Sequence, residues 1–147
     1  MKRLKDNRSW FLVLIFTILT VGIYGIYFYH IMARDTNIAC SYDGKKTSGV
    51  FKYILFSLLT FGVYSIIWEY KILSRWKNQA ENNGEQAKLS PNLYLILNIL
   101  LSFTGICTLI AFYLRIMGLN QMCYLYNETI PEEKVDLSKD NWGWKFN

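Results

Sequence analysis

Three long apolar stretches, separated by polar segments, dominate this 147-residue chain. Asp, Glu, Lys and Arg are absent from residues 9–33, 53–68 and 89–114. Apolar stretches of about 18 or more residues are typical of transmembrane helices, because about 20 residues at 1.5 Å each cross a hydrocarbon core of about 30 Å. The pattern therefore predicts three membrane-spanning helices, at about residues 10–31, 50–70 and 92–114.

The first two apolar stretches share a sequence motif at a constant spacing. Residues 19–28 read LTVGIYGIYF, and residues 59–68 read LTFGVYSIIW. An internal repeat of this kind indicates that one structural unit occurs twice in the fold. Residues 104–107 form a weak third copy. The positions that correspond between the first two copies include Thr20 with Thr60, Gly22 with Gly62, and Tyr24 with Tyr64.

We predict an all-α membrane protein: a small bundle of three transmembrane helices, the first two an internal repeat, with amphipathic helical extensions. One extension follows the second span over residues 71–82, where Leu73, Trp76 and Ala80 share a face that suits a membrane interface. Residues 82–84 are a helix stop, and a second extension continues the third span to about residue 126.

Two topologies are open for the repeated segments. A helix from Trp10 to Phe28 is about 27 Å long, which matches the bilayer core, and aromatic residues at both ends suit the two interfaces. Full crossing is therefore favoured, with the basic N-terminus in the cytoplasm. The alternative places the turns of re-entrant hairpins at Gly22 and Gly62, so that the loops at either end of each hairpin lie on one side.

Composition and charge change this picture little. We expect one membrane domain, residues 1–127, followed by a polar and mobile tail, residues 128–147. The net charge is +5, and the basic residues flank apolar stretches, where they orient helices and contact anionic headgroups. We therefore expect the lipid bilayer as partner and no nucleic acid, and we leave open self-association or a second membrane protein.

Candidate catalytic chemistry is scarce in the sequence. His30 is the only histidine and lies at the edge of a span, so no Ser-His-Asp set is expected. Cys40, Cys107 and Cys123 are scattered and have no metal-ligand spacing. No phosphate-binding loop and no HExxH motif is present. We expect no enzyme activity, no metal and no cofactor.

A stripe of small and polar residues runs along the apolar stretches. Such residues let membrane helices approach closely and hydrogen-bond, at about 0.6–2 kcal/mol per contact. We interpret the stripe as a helix-packing surface rather than a ligand site. Its members are Thr17, Thr20, Gly22, Tyr24, Ser57, Thr60, Gly62, Tyr64, Asn98, Ser102 and Gly105.

Both motif copies, residues 20–24 and 60–64, are followed by aromatic residues and then by a basic helical segment. In this respect the chain resembles a bacterial membrane family known as a domain of unknown function, DUF4234, over about residues 8–127. The resemblance implies a bacterial integral membrane protein. It implies no activity and supplies no catalytic residues.

These observations predict a multi-pass protein of the cytoplasmic membrane that acts as a scaffold, an accessory subunit or an envelope regulator. The alternative is a small transporter or channel component. Transport sites usually contain ionisable groups, and the apolar stretches hold none. Helices broken at Gly22, Gly25 and Gly62 would nevertheless offer backbone groups to a solute.

Overall fold

The structure is a computed structural model that describes residues 3–100 and 105–130, except the side chains of residues 99 and 100. Most of the predicted tail, residues 131–147, lies outside the described residues. Within them the fold is all-helical, as predicted, with six α-helices and no strand. The helices are α1 (Trp10–Leu19), α2 (Ile23–Ala39), α3 (Val50–Leu59), α4 (Val63–Asn82), α5 (Pro91–Leu95) and α6 (Ile106–Glu128).

The continuous helices predicted at residues 10–31 and 50–70 are wrong. A short turn divides each stretch, at residues 20–22 between α1 and α2 and at residues 60–62 between α3 and α4. The third predicted span is divided as well, because α5 and a π-helical segment, Ile96–Leu100, precede the separate start of α6. The three-span bundle is therefore not confirmed.

Two successive residues with left-handed backbone form the first turn. Val21 has φ 51° and Gly22 has φ 90°. The Gly22 amide donates to the Thr17 carbonyl at 2.8 Å, and the Val21 amide donates to the Ile18 carbonyl at 3.1 Å. These two bonds form the Schellman arrangement that ends many helices, usually with glycine as the first left-handed residue. Val21 has a Cβ in that position, which costs about 1–2 kcal/mol.

The second turn has the same geometry. Phe61 has φ 51° and Gly62 has φ 90°, and the Gly62 amide donates to the Ser57 carbonyl at 2.7 Å. A glycine with positive φ also precedes α6, where Gly105 has φ 63°. The helices α2, α4 and α6 therefore all begin directly after a glycine whose conformation other residues rarely adopt.

The hydroxyl of the threonine that begins each turn bonds to both of the helices that the turn connects. Thr20 Oγ1 donates to the Phe16 carbonyl at 2.7 Å and accepts from the Tyr24 amide at 2.9 Å. Thr60 makes the corresponding two bonds at the same distances. Because the first amides of a helix have no partner within it, this hydroxyl supplies one to α2 and one to α4.

The helices on either side of the first turn lie antiparallel. A Cβ added at Gly25 of α2 would come within 3.2 Å of Thr17 Cγ2 of α1. The rings of Phe16 and Tyr24 lie 5.4 Å apart, and the equivalent rings of α3 and α4 lie 5.3 Å apart. Each contact joins a residue just before the turn to one just after it. Both pairs are therefore helical hairpins.

The second helices of the two hairpins, α2 and α4, lie parallel to each other. Tyr29 and Trp68, in the first halves of these helices, have ring centroids 6.0 Å apart. Further along both helices, Trp76 Nε1 donates to Thr36 Oγ1 at 2.8 Å. Because contacts advance in the same direction along both helices, the turns that start α2 and α4 lie at the same end of the molecule.

Helix α6 is parallel to α4 by the same criterion. Arg115 Nη2 lies 2.5 Å from Glu69 Oε2, and further along Gln79 Nε2 donates to the Met122 carbonyl at 3.3 Å. Helix α6 also packs against α2. The three helices α2, α4 and α6 therefore form a parallel group whose starts share one end of the fold.

The second halves of these three helices enclose the core. Leu73, Trp76 and Ala80 of α4 are buried there with Ile116 and Leu119 of α6. The prediction that this face of residues 71–82 lies in a membrane interface is therefore wrong, because the face packs against α2 and α6. The predicted lengths of the two helical extensions are confirmed, since α4 ends at Asn82 and α6 continues to Glu128.

The end of the fold opposite the turns, which we call the base, collects the polar segments. The Leu4 amide donates to Asn127 Oδ1 at 2.8 Å near the end of α6. Gln121 Nε2, also on α6, donates to the Gln86 carbonyl at 2.8 Å. Through these bonds the N-terminal segment and the segment between α4 and α5 both lie at the base.

The turn geometry predicts a specific cost for substitution of Gly22. A Cβ there meets no atom within 4 Å, so a Gly22→Ala change adds only the strain of an alanine at φ 90°. We expect a loss of about 1–2 kcal/mol in the free energy of unfolding, measured with denaturant in a mild detergent.

Gly49→Ala is the matched control for this prediction. Gly49 also has open space around it, but its φ is −67°, which alanine adopts freely. The control should therefore unfold close to the wild type. Equal destabilisation by the two substitutions would contradict the left-handed turn.

Candidate functional site

The closed ends of the hairpins form an apolar surface, which we call the tip surface. Because α2, α4 and α6 are parallel and each begins after a glycine with positive φ, the starts of all three contribute to it. Val21 is 93% exposed and Phe61 is 100% exposed, although both are large and apolar. The other exposed members are Ile18, Leu19, Ile23, Leu58, Leu59, Val63 and Ile106.

Exposed charges begin only at a distance from the tip surface. Lys52 lies about eight residues before the second turn and Lys71 about eight residues after it. At 1.5 Å per helical residue, these exposed lysines are about 12 Å from the turn along α3 and α4. The uncharged part of the hairpins therefore has about the height of one bilayer leaflet, which is half of a core of about 30 Å.

Aromatic side chains occupy the level where the charges begin. Tyr53 of α3 contacts Tyr29 and Trp68, with ring centroids 5.1 and 4.5 Å away. Trp10 at the start of α1 meets Tyr113 of α6 edge-on at 5.8 Å. Tyr and Trp are enriched where hydrocarbon gives way to water, so their position fits a boundary between the two media.

A buried ion pair lies next to these aromatic rings. Glu69 of α4 and Arg115 of α6 are almost fully enclosed and meet at 2.5 Å. The Tyr29 hydroxyl donates to Glu69 Oε1 at 3.0 Å and accepts from Arg115 Nη1 at 3.2 Å. Arg115 also lies over the Tyr94 ring at 5.8 Å. These contacts join α2, α4, α5 and α6 at one level.

A second buried acid joins the N-terminal segment to α2. Asp35 is fully buried, and its carboxylate lies 2.5 Å from Arg8 and 2.8 Å from Arg34. Arg8 reaches this position because its backbone amide donates to Asn120 Oδ1 of α6 at 3.0 Å. The local sequence around Asp35 and Glu69 does not identify their arginine partners, and the structure supplies both.

A third ion pair orders the loop between α2 and α3. Arg75 binds both oxygens of Asp43, at 2.7 and 3.0 Å, and also donates to the carbonyls of Cys40 and Lys45. Burial raises the pKa of the Asp43 carboxyl, but the hydrogen bonds and charges of Arg75 and Lys45 outweigh this, so the pKa is lowered overall. The loop is therefore fastened to α4 at neutral pH.

The proposed polar stripe does not form one face of one helix, because the chain reverses within it. Thr17 and Tyr24 belong to different helices, and Thr20 and Thr60 bond within their own hairpins. Ser57 lies near the second turn, and its hydroxyl is buried without a hydrogen-bond partner. The contacts shown are thus internal to each hairpin, and association between hairpins through the stripe stays a prediction.

The remaining stripe residues occupy separate places. Tyr64 places its hydroxyl 3.5 Å from Ser48 Oγ in the preceding loop. Asn98 Nδ2 donates to the Tyr94 carbonyl at 3.1 Å, and Gly105 precedes α6. Ser102 lies outside the described residues. Among those the structure does describe, no group of three or more His, Cys, Asp or Glu side chains is placed to hold a metal ion.

Together these features define an all-helical protein built from helical hairpins that share one apolar end. Of the helices described, α6 alone is long and apolar enough to cross a membrane, by length and composition. The apolar helices α1 and α3 are shorter. Length and composition alone thus give limited support for a membrane location.

Residues 8–78 match a family model described as Domain of unknown function (DUF4234). The predicted resemblance is therefore confirmed over these residues, which contain both turns and most of α4. The match ends short of residue 127, to which the resemblance had been extended. No curated protein and no solved structure matches the chain.

The enclosed ion pair predicts a large cost when one partner is removed. Glu69→Leu would leave the Arg115 cation buried without its counter-charge, so we expect a loss of about 3–5 kcal/mol in the free energy of unfolding. The double variant Glu69→Leu/Arg115→Met should recover most of the loss, because no unpaired charge remains.

An exposed pair on the same helix serves as the control. Lys77 and Glu81 are 3.5 Å apart and both are exposed. Lys77→Ala should change the free energy of unfolding by at most about 0.5 kcal/mol. A Glu69→Leu variant as stable as Lys77→Ala would show that the ion pair does not hold α4 to α6.

Proposed function

We propose that this chain is a small membrane-embedded protein of the cell membrane and acts as a scaffold, an accessory subunit or an envelope regulator. The observation that carries the proposal is the tip surface, where large apolar side chains from three helix starts are exposed together. Contiguous apolar surfaces of this kind usually mark contact with a protein or a membrane. The absence of charge over about 12 Å of hairpin favours lipid.

The backbone of the turns also supports a lipid environment. In hydrocarbon, each backbone amide without a partner costs several kcal/mol. The amides of residues 21–24 all have acceptors within the hairpin, at 2.8–3.1 Å. The tip surface therefore presents apolar side chains over turn amides that are hydrogen-bonded within the hairpin.

The use of the acidic side chains supports a non-enzymatic role. Asp35, Asp43 and Glu69 are each held by arginine, and each of these pairs fastens one segment of the fold to another. Groups engaged in this way stabilise the base and the hairpins. We accordingly propose that the base presents a surface for another protein or a second copy of the chain, as the proposed scaffold role requires.

A small transporter or channel component is the second candidate. The observation that favours it is the Glu69–Arg115 pair, because ionisable groups enclosed between the helices of membrane proteins often lie on solute pathways. A solute-flux assay on reconstituted vesicles separates the two proposals. Flux above that of empty vesicles favours transport, whereas recovery of a stable protein partner without flux favours the scaffold.

Charge at the tip surface tests the membrane proposal directly. We expect a carbonate wash to extract the double variant Val21→Asp/Phe61→Asp from membranes. Each buried aspartate costs about 2.5–3.5 kcal/mol near the centre of a bilayer. Aspartate tolerates left-handed backbone, so the turns should still form.

Tyr42→Asp provides the matched control. Tyr42 is a large, 56% exposed side chain in the loop before α3, away from the tip surface. This variant should stay with the membrane fraction. If the tip variant stays with the membranes as well as the control does, the tip surface does not hold the protein in lipid.

A further inference from the structure

We infer that the hairpins enter one leaflet from the same side and turn back within it, so that both ends of every hairpin face one aqueous compartment. This inference rests on the proposed membrane function and adds the topology. It replaces the multi-pass arrangement with a protein embedded in half of the bilayer. The occupant of the tip surface is the acyl region of one leaflet.

The direction of the helices is the first argument. Helices α2, α4 and α6 all start at the tip surface and run parallel towards the base. Helices α1 and α3 run in the opposite direction and end at the tip surface. The N-terminal segment, the loop before α3 and the segment between α4 and α5 are all bonded at the base. No rotation of this rigid arrangement puts one of these segments on the far side of a membrane.

Depth is the second argument. Helix α1 has 10 residues and α3 has 10 residues, so each is about 15 Å long. That length equals half of a hydrocarbon core of about 30 Å. The exposed lysines and the aromatic rings lie about 12 Å from the turns, at the depth where a single leaflet meets its headgroups.

Helix α6 shows why even the longest helix does not cross. Its 23 residues span about 34 Å, which is enough for a whole bilayer. Its second half is engaged elsewhere, because Leu119 and Cys123 are fully buried in the core and Asn127 bonds to Leu4. The part of α6 before Arg115 carries no charge and exposes Ile106, Leu109 and Ile110, so this part is available to lipid.

Labelling of single cysteines tests this topology. Lys5, Lys46 and Gln86 are exposed and lie in the three polar segments of the base, so each is replaced by cysteine in turn. Cys107→Ala is the only background change. Cys40 and Cys123 are buried, and burial raises the pKa of the Cys40 thiol to about 12, so these two should not react. The background protein without added cysteine verifies this.

Each variant is treated with a membrane-impermeant maleimide in sealed cells and in inverted vesicles. The inference predicts that all three cysteines react from the same side and are protected on the other. Reaction of the Lys46→Cys protein from the side opposite to Lys5→Cys and Gln86→Cys would overturn it in favour of complete crossing.

A carbonate wash of the same samples separates failure of the topology from failure of the proposed function. Retention in the membrane with labelling from opposite sides overturns only the one-sided topology. Release of the protein by carbonate, together with reaction of a Phe61→Cys variant with the maleimide in intact membranes, overturns the membrane function and the topology together. Retention with same-side labelling and a protected Phe61→Cys probe supports both.

Discussion

Backbone amides at a helix break need hydrogen-bond partners, and the rest of this fold depends on how the two turns provide them. The amides of Val21 and Gly22 return to carbonyls of α1, and the Thr20 hydroxyl takes the amide of Tyr24. With these groups satisfied locally, the chain reverses without charged side chains at its apex. Two hairpins with apolar ends follow, and their second helices can then pack in parallel with α6 over a buried core.

The sequence predicted the helical class, the apolar stretches and the importance of the Thr-x-Gly motif, but it offered reversals at Gly22 and Gly62 only as the less favoured of two topologies. Hydrophobic periodicity cannot distinguish one helix of about 20 residues from two of about 10 that pack antiparallel. The residue before each glycine, Val21 or Phe61, also argues against a left-handed turn, since bulky side chains rarely adopt it. The signal in the sequence that favoured a turn was the repeated Thr-x-Gly motif, in which threonine and glycine are the same in both copies and the residue between them differs.

The ion pairs were beyond the reach of local reasoning for a different reason. Glu69 and Arg115 are far apart in sequence, and they meet only because α4 packs against α6. Asp35 gave a clearer signal, because it falls between Met32 and Ala39 on a face of α2 that is otherwise small or apolar. An acid on such a face indicates a buried partner, which the basic N-terminal segment supplies through Arg8.

The antiparallel hairpins have an electrostatic consequence. Each helix carries roughly half a positive charge at its N-terminus and half a negative charge at its C-terminus. A single helix end placed in hydrocarbon would expose that field where little screens it. At the first turn the C-terminus of α1 and the N-terminus of α2 are adjacent, as are those of α3 and α4 at the second. The opposing dipoles cancel over a short distance, so the apolar apex of each hairpin is nearly field-free.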